Sequence, residues 1–239
     1  MVNEALIYDG VLTKRYVLKV IASIFDPLGA LSPVVAGFKM VLQEVYPLKS
    51  GWDDEISGEL QVKWKKLLHA ASKVGIIHVP RNYLADRNLT DVKAMELHGF
   101  SDASGKAYAA VVYLRVVFED GFISSRFIAS KSRVAPLKQL SIPKLELMSC
   151  LILSRLIKII LESLVDYHIT KVFCWSDSRD CIYWIKDKSK VWKRFIQNRV
   201  IEIRENLPGA SWNHCPGDIN PADIPSRGLN IVKPENQKR

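Results

Sequence analysis

The stretch AYAAVVYLRVVF (residues 107–118) is followed by Glu119-Asp120-Gly121 and then by FISSRFIAS (residues 122–130). Valine, tyrosine and phenylalanine crowd both runs, and such side chains suit the pleated, half-buried surface of a strand. An Asp-Gly pair between two runs of this kind is a hairpin signal. A shorter run, Glu96 to Ser101, precedes them and ends at Asp102, so residues 96–130 read as an antiparallel meander. Beyond it the period changes. From Ile142 to Leu164 the chain is apolar on nearly every side (Leu145, Met148, Leu151, Ile152, Leu156, Ile160), which predicts a helix buried against the sheet. Lys171 to Ser176 predicts a short strand ending at Asp177. Helices follow over about 179–187 and 191–206, the second closed by Pro208-Gly209. Ala210 to His214 reads as a last strand, and Asn220-Pro221 opens a short final helix. The order βββαβααβα gives an α/β class, a mixed five-stranded sheet flanked by helices.

Upstream, residues 14–75 read as mostly helical. One helix covers Arg15 to Phe25 and stops at the turn Asp26-Pro27-Leu28-Gly29; another runs from Pro33 to Tyr46. After Gly51-Trp52-Asp53-Asp54, a third helix over about 55–74 carries Leu60, Trp64, Leu67, Leu68 and Ala71 at helical spacing. Pro80 to Asp91 is polar and turn-rich, a linker. The whole chain, 239 residues with 48% hydrophobic content, has enough apolar material for a sizeable core. Its net charge of +9, from 34 basic and 25 acidic residues, favours a polyanionic partner, nucleic acid before anionic membrane. No apolar run reaches the roughly 18 residues of a membrane span. The start, Met1 to Leu6, lacks the basic and apolar regions of a signal peptide, so an intracellular site is expected. Cys150, Cys174, Cys181 and Cys215 form no C-x-x-C pair and read as reduced core thiols rather than zinc ligands.

Four acidic residues fall where this reading ends a strand or begins a helix. Asp102 follows the first strand, Glu146 lies in the first turns of the long helix, Asp177 follows the fourth strand, and Asp223 starts the terminal helix. Hydrolysis of a phosphodiester by in-line attack is helped by two divalent ions about 3.5–4 Å apart. Mg²⁺ takes oxygen ligands and keeps several waters, so a few carboxylates suffice to hold it. Each residue also has a plainer explanation. Asn220-Pro221-Ala222-Asp223 is a capping box in outline, Glu146 complements a helix dipole, Asp177 could cap the next helix, and Asp102 could be a turn residue.

At these residues the sequence resembles the ribonuclease H domain that follows reverse transcriptase in LTR retrotransposons, in particular the BEL/Pao group. Phe100-Ser101-Asp102-Ala103-Ser104, Ile142-Pro143-Lys144-Leu145-Glu146-Leu147 and Trp175-Ser176-Asp177-Ser178 resemble that family's first three acidic motifs. The run from Pro216-Gly217-Asp218 through Asn220, Ala222-Asp223 and Ser226-Arg227 is similar to its C-terminal motif, the most specific signal in the chain. Ile21 to Gly29 and Gly51-Trp52-Asp53 extend the likeness to roughly residues 14–228. The resemblance implies a ribonuclease H-like sheet domain over 95–228, a linker over 81–94, a thumb- or connection-like helical region over 1–80, and a polar tail over 229–239.

The resemblance further implies two-metal hydrolysis of the RNA strand of an RNA–DNA hybrid. Asp102, Glu146, Asp177 and Asp223 would hold two Mg²⁺ ions, or Mn²⁺. The polymerase portion of a reverse transcriptase would be a partner, and a membrane would not. Lys131, Arg133, Lys138 and Lys144, on a loop before the glutamate helix, are candidate backbone contacts, with Ser104 and Arg227 from the flanking motifs. A second basic run, Lys186 to Arg194, surrounds Trp184 and Trp192, which read as core, with packing under the hybrid as the alternative. Many relatives carry a histidine after the last Pro-Gly; here Asp218 stands there, and His214 is the nearest candidate for an auxiliary role. No Y-x-D-D polymerase motif exists, Tyr8-Asp9-Gly10 included, so the chain cannot copy nucleic acid by itself. A catalytically silent fragment, or a host-adopted nucleic-acid-binding protein, is the alternative. A transposase on the same fold would place its glutamate last, whereas here it comes second.

Overall fold

The computed structural model describes residues 11–74, 77–80 and 82–228. The first ten residues and the polar tail over 229–239 lie outside the described residues. Helices α1 (Lys14–Ser23), α2 (Ser32–Val45) and α3 (Glu59–Ser72) open the chain. Thr13 starts the first by accepting a hydrogen bond from the Tyr16 amide at 3.1 Å. The three helices close over Val17, Val20, Phe38, Val41, Trp64, Leu67 and Ala71, with Phe38 and Trp64 rings 5.1 Å apart. Lys14, buried, donates to the Leu48 carbonyl at 2.6 Å just past the end of α2, where the helix dipole is negative.

The sheet is built from β1 (Val92–Ala103), β2 (Ala107–Phe118), β3 (Ile123–Val134), β4 (Ile169–Ser176) and β5 (Ser211–His214). Their order is β3-β2-β1-β4-β5, antiparallel across β3-β2-β1 and parallel across β1-β4-β5. Helix α4 (Ile142–Ser163) lies on β1 and β2, burying Leu145, Leu147, Leu153 and Ile157. A Cβ at Gly99 would come within 2.6 Å of Leu153 and Ile157, so a bare backbone in β1 is what lets α4 sit this close. Helices α5 (Arg179–Lys186), α6 (Arg194–Asn206) and the five-residue α7 (Asp223–Arg227) complete the fold. All four cysteines are free and buried, as their apolar surroundings predict.

Three readings need correction. The first strand is not short: β1 starts at Val92 and continues through Asp102, which pairs with Ala109 rather than following the strand. Strand β3 runs past Ser130 to Val134, so Lys131 and Arg133 stand on a strand opposite Ala110 and Tyr108, not on a loop. Ladder hydrogen bonds carry the hairpin beyond the point where apolar alternation stops. Helix α3 begins at Glu59 and α6 at Arg194, each a few residues later than read. Ahead of α3 the Ile56 amide is taken by the Leu12 carbonyl and Gly58 has a φ of 79°, and ahead of α6 the Trp192 amide is taken by the Gln197 side chain.

The helical region is fastened to the outer edge of the sheet. The Ser130 amide donates to the Leu28 carbonyl at 2.8 Å, and Gln43 reaches the Ala135 carbonyl at 2.5 Å. Gly29, at φ 75°, makes this possible, since a Cβ there would overlap the Ser130 carbonyl. The unpaired groups of an edge strand are thereby covered. Among the described residues no helix is long and apolar enough to cross a membrane.

Candidate active site

The C-terminal ends of β1 and β4 lie side by side, with Ser101 paired to Ser176. Asp102 follows on one strand and Asp177 on the other. Asp102 is 4% exposed. Burial pushes its carboxyl up to about 6; the charges of Asp177 and Asp223 push the same way, while the Ser226 hydroxyl and Arg227 oppose them. Asp177 is half-buried, and among the described residues its Oδ1 has no hydrogen-bond partner. Gly217 brings the last loop against this residue: a Cβ at 217 would lie 3.3 Å from Asp177 Oδ2.

Glu146 comes from the second turn of α4, with Leu145 and Leu147 on either side anchored in the core. Burial raises its pKa, a hydrogen bond from Ser178 lowers it, and the charges of Asp177, Asp102 and Asp180 raise it again. Ser178 also caps α5, accepting from the Cys181 amide at 3.4 Å. Asp223 is the first residue of α7 and accepts from Arg227 Nε at 2.5 Å. One turn along, the Ser226 hydroxyl donates to Asp102 Oδ2. Asn220, buried, donates to the Ser101 carbonyl at 3.0 Å and accepts from the Ala222 amide at 3.1 Å. Four segments spread from β1 to α7 thus converge, and the charges of their carboxyl groups act on one another.

The other predicted site residues are placed less uniformly. Ser104 closes the β1–β2 turn and donates to the Ser226 carbonyl at 2.8 Å, so its hydroxyl is taken up within the protein. Lys144 lies 5.4 Å from the centre of the Phe195 ring. Lys131 and Arg133 are exposed, opposite Ala110 and Tyr108; those partners belong to the sheet face that packs on α4, whereas Asp102 opposes Ala109 on the other face. Lys138 is exposed on the segment between β3 and α4, and Arg227 is exposed beside Asp223. His214 ends β5 opposite Ser176 and is exposed. Sequence reasoning missed Ser178, Asn220 and Ser226 as site-building residues, although all three lie inside the quoted motifs.

Among the described residues no three Asp, Glu, His or Cys side chains stand close enough, as oriented, to grip one ion. Asp102, Glu146 and Asp223 are each turned to a protein donor, Ser226, Ser178 and Arg227 respectively. The donor chemistry nevertheless suits a hard cation: four carboxylates come from neighbouring segments within reach of one another's charge, and among the described residues the buried Asp177 Oδ1 lacks a partner.

A sheet ordered β3-β2-β1-β4-β5, with acidic residues at the ends of β1 and β4 and a long helix across them, is that of a ribonuclease H-like domain. Residues 13–178 match the family described as the Pao retrotransposon-like RNaseH-like domain, and the chain belongs to that family. Among curated proteins none matches the chain. Solved structures that it resembles include the N-terminal RNase H domain of a Mycobacterium tuberculosis protein, with 13% identity over 53% of this chain and 86% of that one and a TM-score of 0.37. A second is LC11-RNase H1, isolated from compost and bound to an RNA/DNA hybrid, with 16% identity over 54% and 91% and a TM-score of 0.36. A third is a foamy viral protease–reverse transcriptase in complex with double-stranded DNA, with 13% identity over 87% and 36% and a TM-score of 0.30.

Proposed function

We propose that the chain is a metal-dependent endoribonuclease that cuts the RNA strand of RNA–DNA hybrids. The observation that carries this reading is the convergence of Asp102, Glu146, Asp177 and Asp223 from four separate segments, with the Asp102 and Glu146 carboxyls raised by burial and by their acidic neighbours. Nothing in fold stability asks for such a cluster, whereas two divalent cations would neutralise it. Two Mg²⁺ ions, or Mn²⁺, would be held by those four carboxylates; when bound they supply a lowered pKa for an attacking water and charge for the departing 3′ oxygen.

The chain's own residues set that arrangement up. Asp177 offers an oxygen that no donor among the described residues occupies. Ser226 fixes the orientation of Asp102, and Ser178 that of Glu146, so two of the four carboxylates are pointed by hydroxyls that can let go. Arg227, exposed beside Asp223, is free to exchange that partner for a phosphate. Lys131, Arg133, Lys138 and Lys144 supply further positive charge, and the excess of +9 supports a polyanionic substrate. A hybrid would be read by shape and by its 2′-hydroxyls rather than by sequence. In this reading the catalytic unit, expected over 95–228, begins with β1 at Val92, the residues just ahead of it are a link, and 1–80 is a thumb- or connection-like region joining it to a polymerase portion. The protein acts inside the cell, in the cytoplasm, a retroelement particle or the nucleus.

The test is incubation of the chain with a labelled hybrid and Mg²⁺, beside Asp177→Asn. Cleavage by the parent and none by the variant is the expected result. Equal cleavage by both would remove the site assignment. Salt-sensitive binding of the hybrid by both, with cutting by neither, would favour a silent nucleic-acid-binding protein.

A further inference from the structure

We propose that α2, in the helical region, is a positioning element of the candidate site: it braces the short helix that carries Asp223 and Ser226. Helix α7 has five residues, and a helix of that length does not persist by its own hydrogen bonds. Two surfaces hold it. On one side it lies on β1 and β2, and on the other it lies along α2.

The seam with α2 is made of backbone. Gly228, which ends α7 at φ 74° and ψ −178°, adopts a conformation open almost solely to glycine. A Cβ there would sit 3.4 Å from the Gly37 amide nitrogen and 3.5 Å from its Cα and from the Pro33 carbonyl. The end of α7 thus rests against the α2 backbone at van der Waals distance. On the same helix Ala36 and Met40 are buried with Ala107 and pack on the half-buried Val134, which fixes α2 to the start of β2 and the end of β3. The same α2 therefore touches the sheet and the helix that the sheet must hold in register.

What α7 presents makes the brace consequential. Asp223 is its first residue, and the Ser226 hydroxyl donates to Asp102 on β1. Displacing α7 would move one carboxylate and release another. The consequence for metal rests on the reading above; the bracing itself does not.

The test uses the full chain. Ala36→Leu overfills the α2–sheet cluster, and Val20→Ala loosens the helical core from α1, away from that cluster. Amide exchange over residues 220–228 is followed by mass spectrometry. There the amides of Asp223, Ser226 and Gly228 donate to the Asn220, Ala222 and Ile224 carbonyls. Ala36→Leu is expected to speed exchange in that segment about ten-fold, with Val20→Ala leaving it within roughly two-fold of the parent. Adding Met40→Ala to Ala36→Leu returns room to the cluster and should restore protection. Indifference of that segment to Ala36→Leu, or an equal response to Val20→Ala, overturns the proposal. Thermal shift with Mg²⁺ alone then reads the metal consequence, with a midpoint about ten-fold higher in Ala36→Leu. A parent that shows no Mg²⁺ shift while its α7 exchange still depends on Ala36 would sink the metal reading and leave the bracing supported.

Discussion

Replacing Asp102 by Asn should stabilise the metal-free protein at neutral pH. The carboxyl titrates at about 6 in the fold, against 3.8 for the ordinary group, chiefly because it is buried. Between those values the native state holds a proton that the unfolded chain has released. The parent therefore loses stability as pH rises from about 4 to 6 and has lost it in full above that window. The difference of roughly two pH units corresponds to about 3 kcal/mol. Asparagine keeps the shape, keeps an oxygen for the Ser226 hydroxyl, and carries no charge to desolvate. Because Asn forgoes the stronger hydrogen bond that a carboxylate accepts, about 3 kcal/mol is an upper bound. The assay is urea unfolding of both proteins in EDTA at a series of pH values. Near pH 4 the midpoints should coincide; by pH 8 the variant should lead by up to roughly 1 M if the slope is near the upper end of about 1–3 kcal/mol/M. Saturating Mg²⁺ should reverse the order, since a ligand that binds only the native parent raises its stability alone. A gap that does not change with pH, or a variant less stable than the parent at pH 8 in EDTA, would refute the reasoning.

Other substitutions test the surrounding structure. Ser178→Ala removes the cap of α5, at about 1 kcal/mol, and also the donor to Glu146. The Glu146 titration, followed by carboxyl NMR, should move further up, and an unmoved midpoint would mean that no such hydrogen bond forms. Gly99→Val places methyl groups where Leu153 and Ile157 already sit, so urea unfolding should register a loss of about 1–3 kcal/mol; a neutral result would mean that α4 can slide off β1 freely. Replacing Lys131 and Arg133 together by Ala should weaken hybrid binding and flatten the plot of log affinity against log salt by up to about two phosphate contacts. An unchanged slope would identify them as solvated strand residues with no part in binding.

The hairpin was legible because two runs of Val, Tyr and Phe flank an Asp-Gly pair, and the long helix because its apolar residues leave almost no polar face. Both signals are local. The ends of elements were less so: Lys131 and Arg133 look like loop residues, and only their pairing with Ala110 and Tyr108 makes them strand. The docking of the helical region was not legible at all. It depends on the Ser130 amide meeting the Leu28 carbonyl, a contact across 102 positions that no composition or period announces. The four carboxylates could be named from strand ends, helix starts and the resemblance to a family. Their hydroxyl partners Ser178 and Ser226 could not, because a serine beside an aspartate looks the same whether it caps a helix or holds a carboxyl.

The plainer explanations for the four acids can now be weighed against the residues that fill those structural roles. Ser178, not Asp177, caps α5. No side chain caps α7; Asn220 takes the Ala222 amide, and Asp223 is already helical. Asp102 is not in the β1–β2 turn, which Ser104 closes, but within β1 and buried. Glu146 sits in the second turn of α4, past the first-turn position where a carboxylate best complements the helix dipole. The capping and turn positions beside Asp177 and Asp102 are filled by Ser178 and Ser104, which leaves those two acids half-buried and buried, whereas Asp223 in the first turn of α7 keeps an ordinary pairing with Arg227. For Asp102 the cost of burial is the same pH-dependent loss that asparagine would relieve. A fold that sets serines to those tasks and gathers Asp102, Glu146 and Asp177 within reach of one another's charge suits the cation that the proposed function calls for.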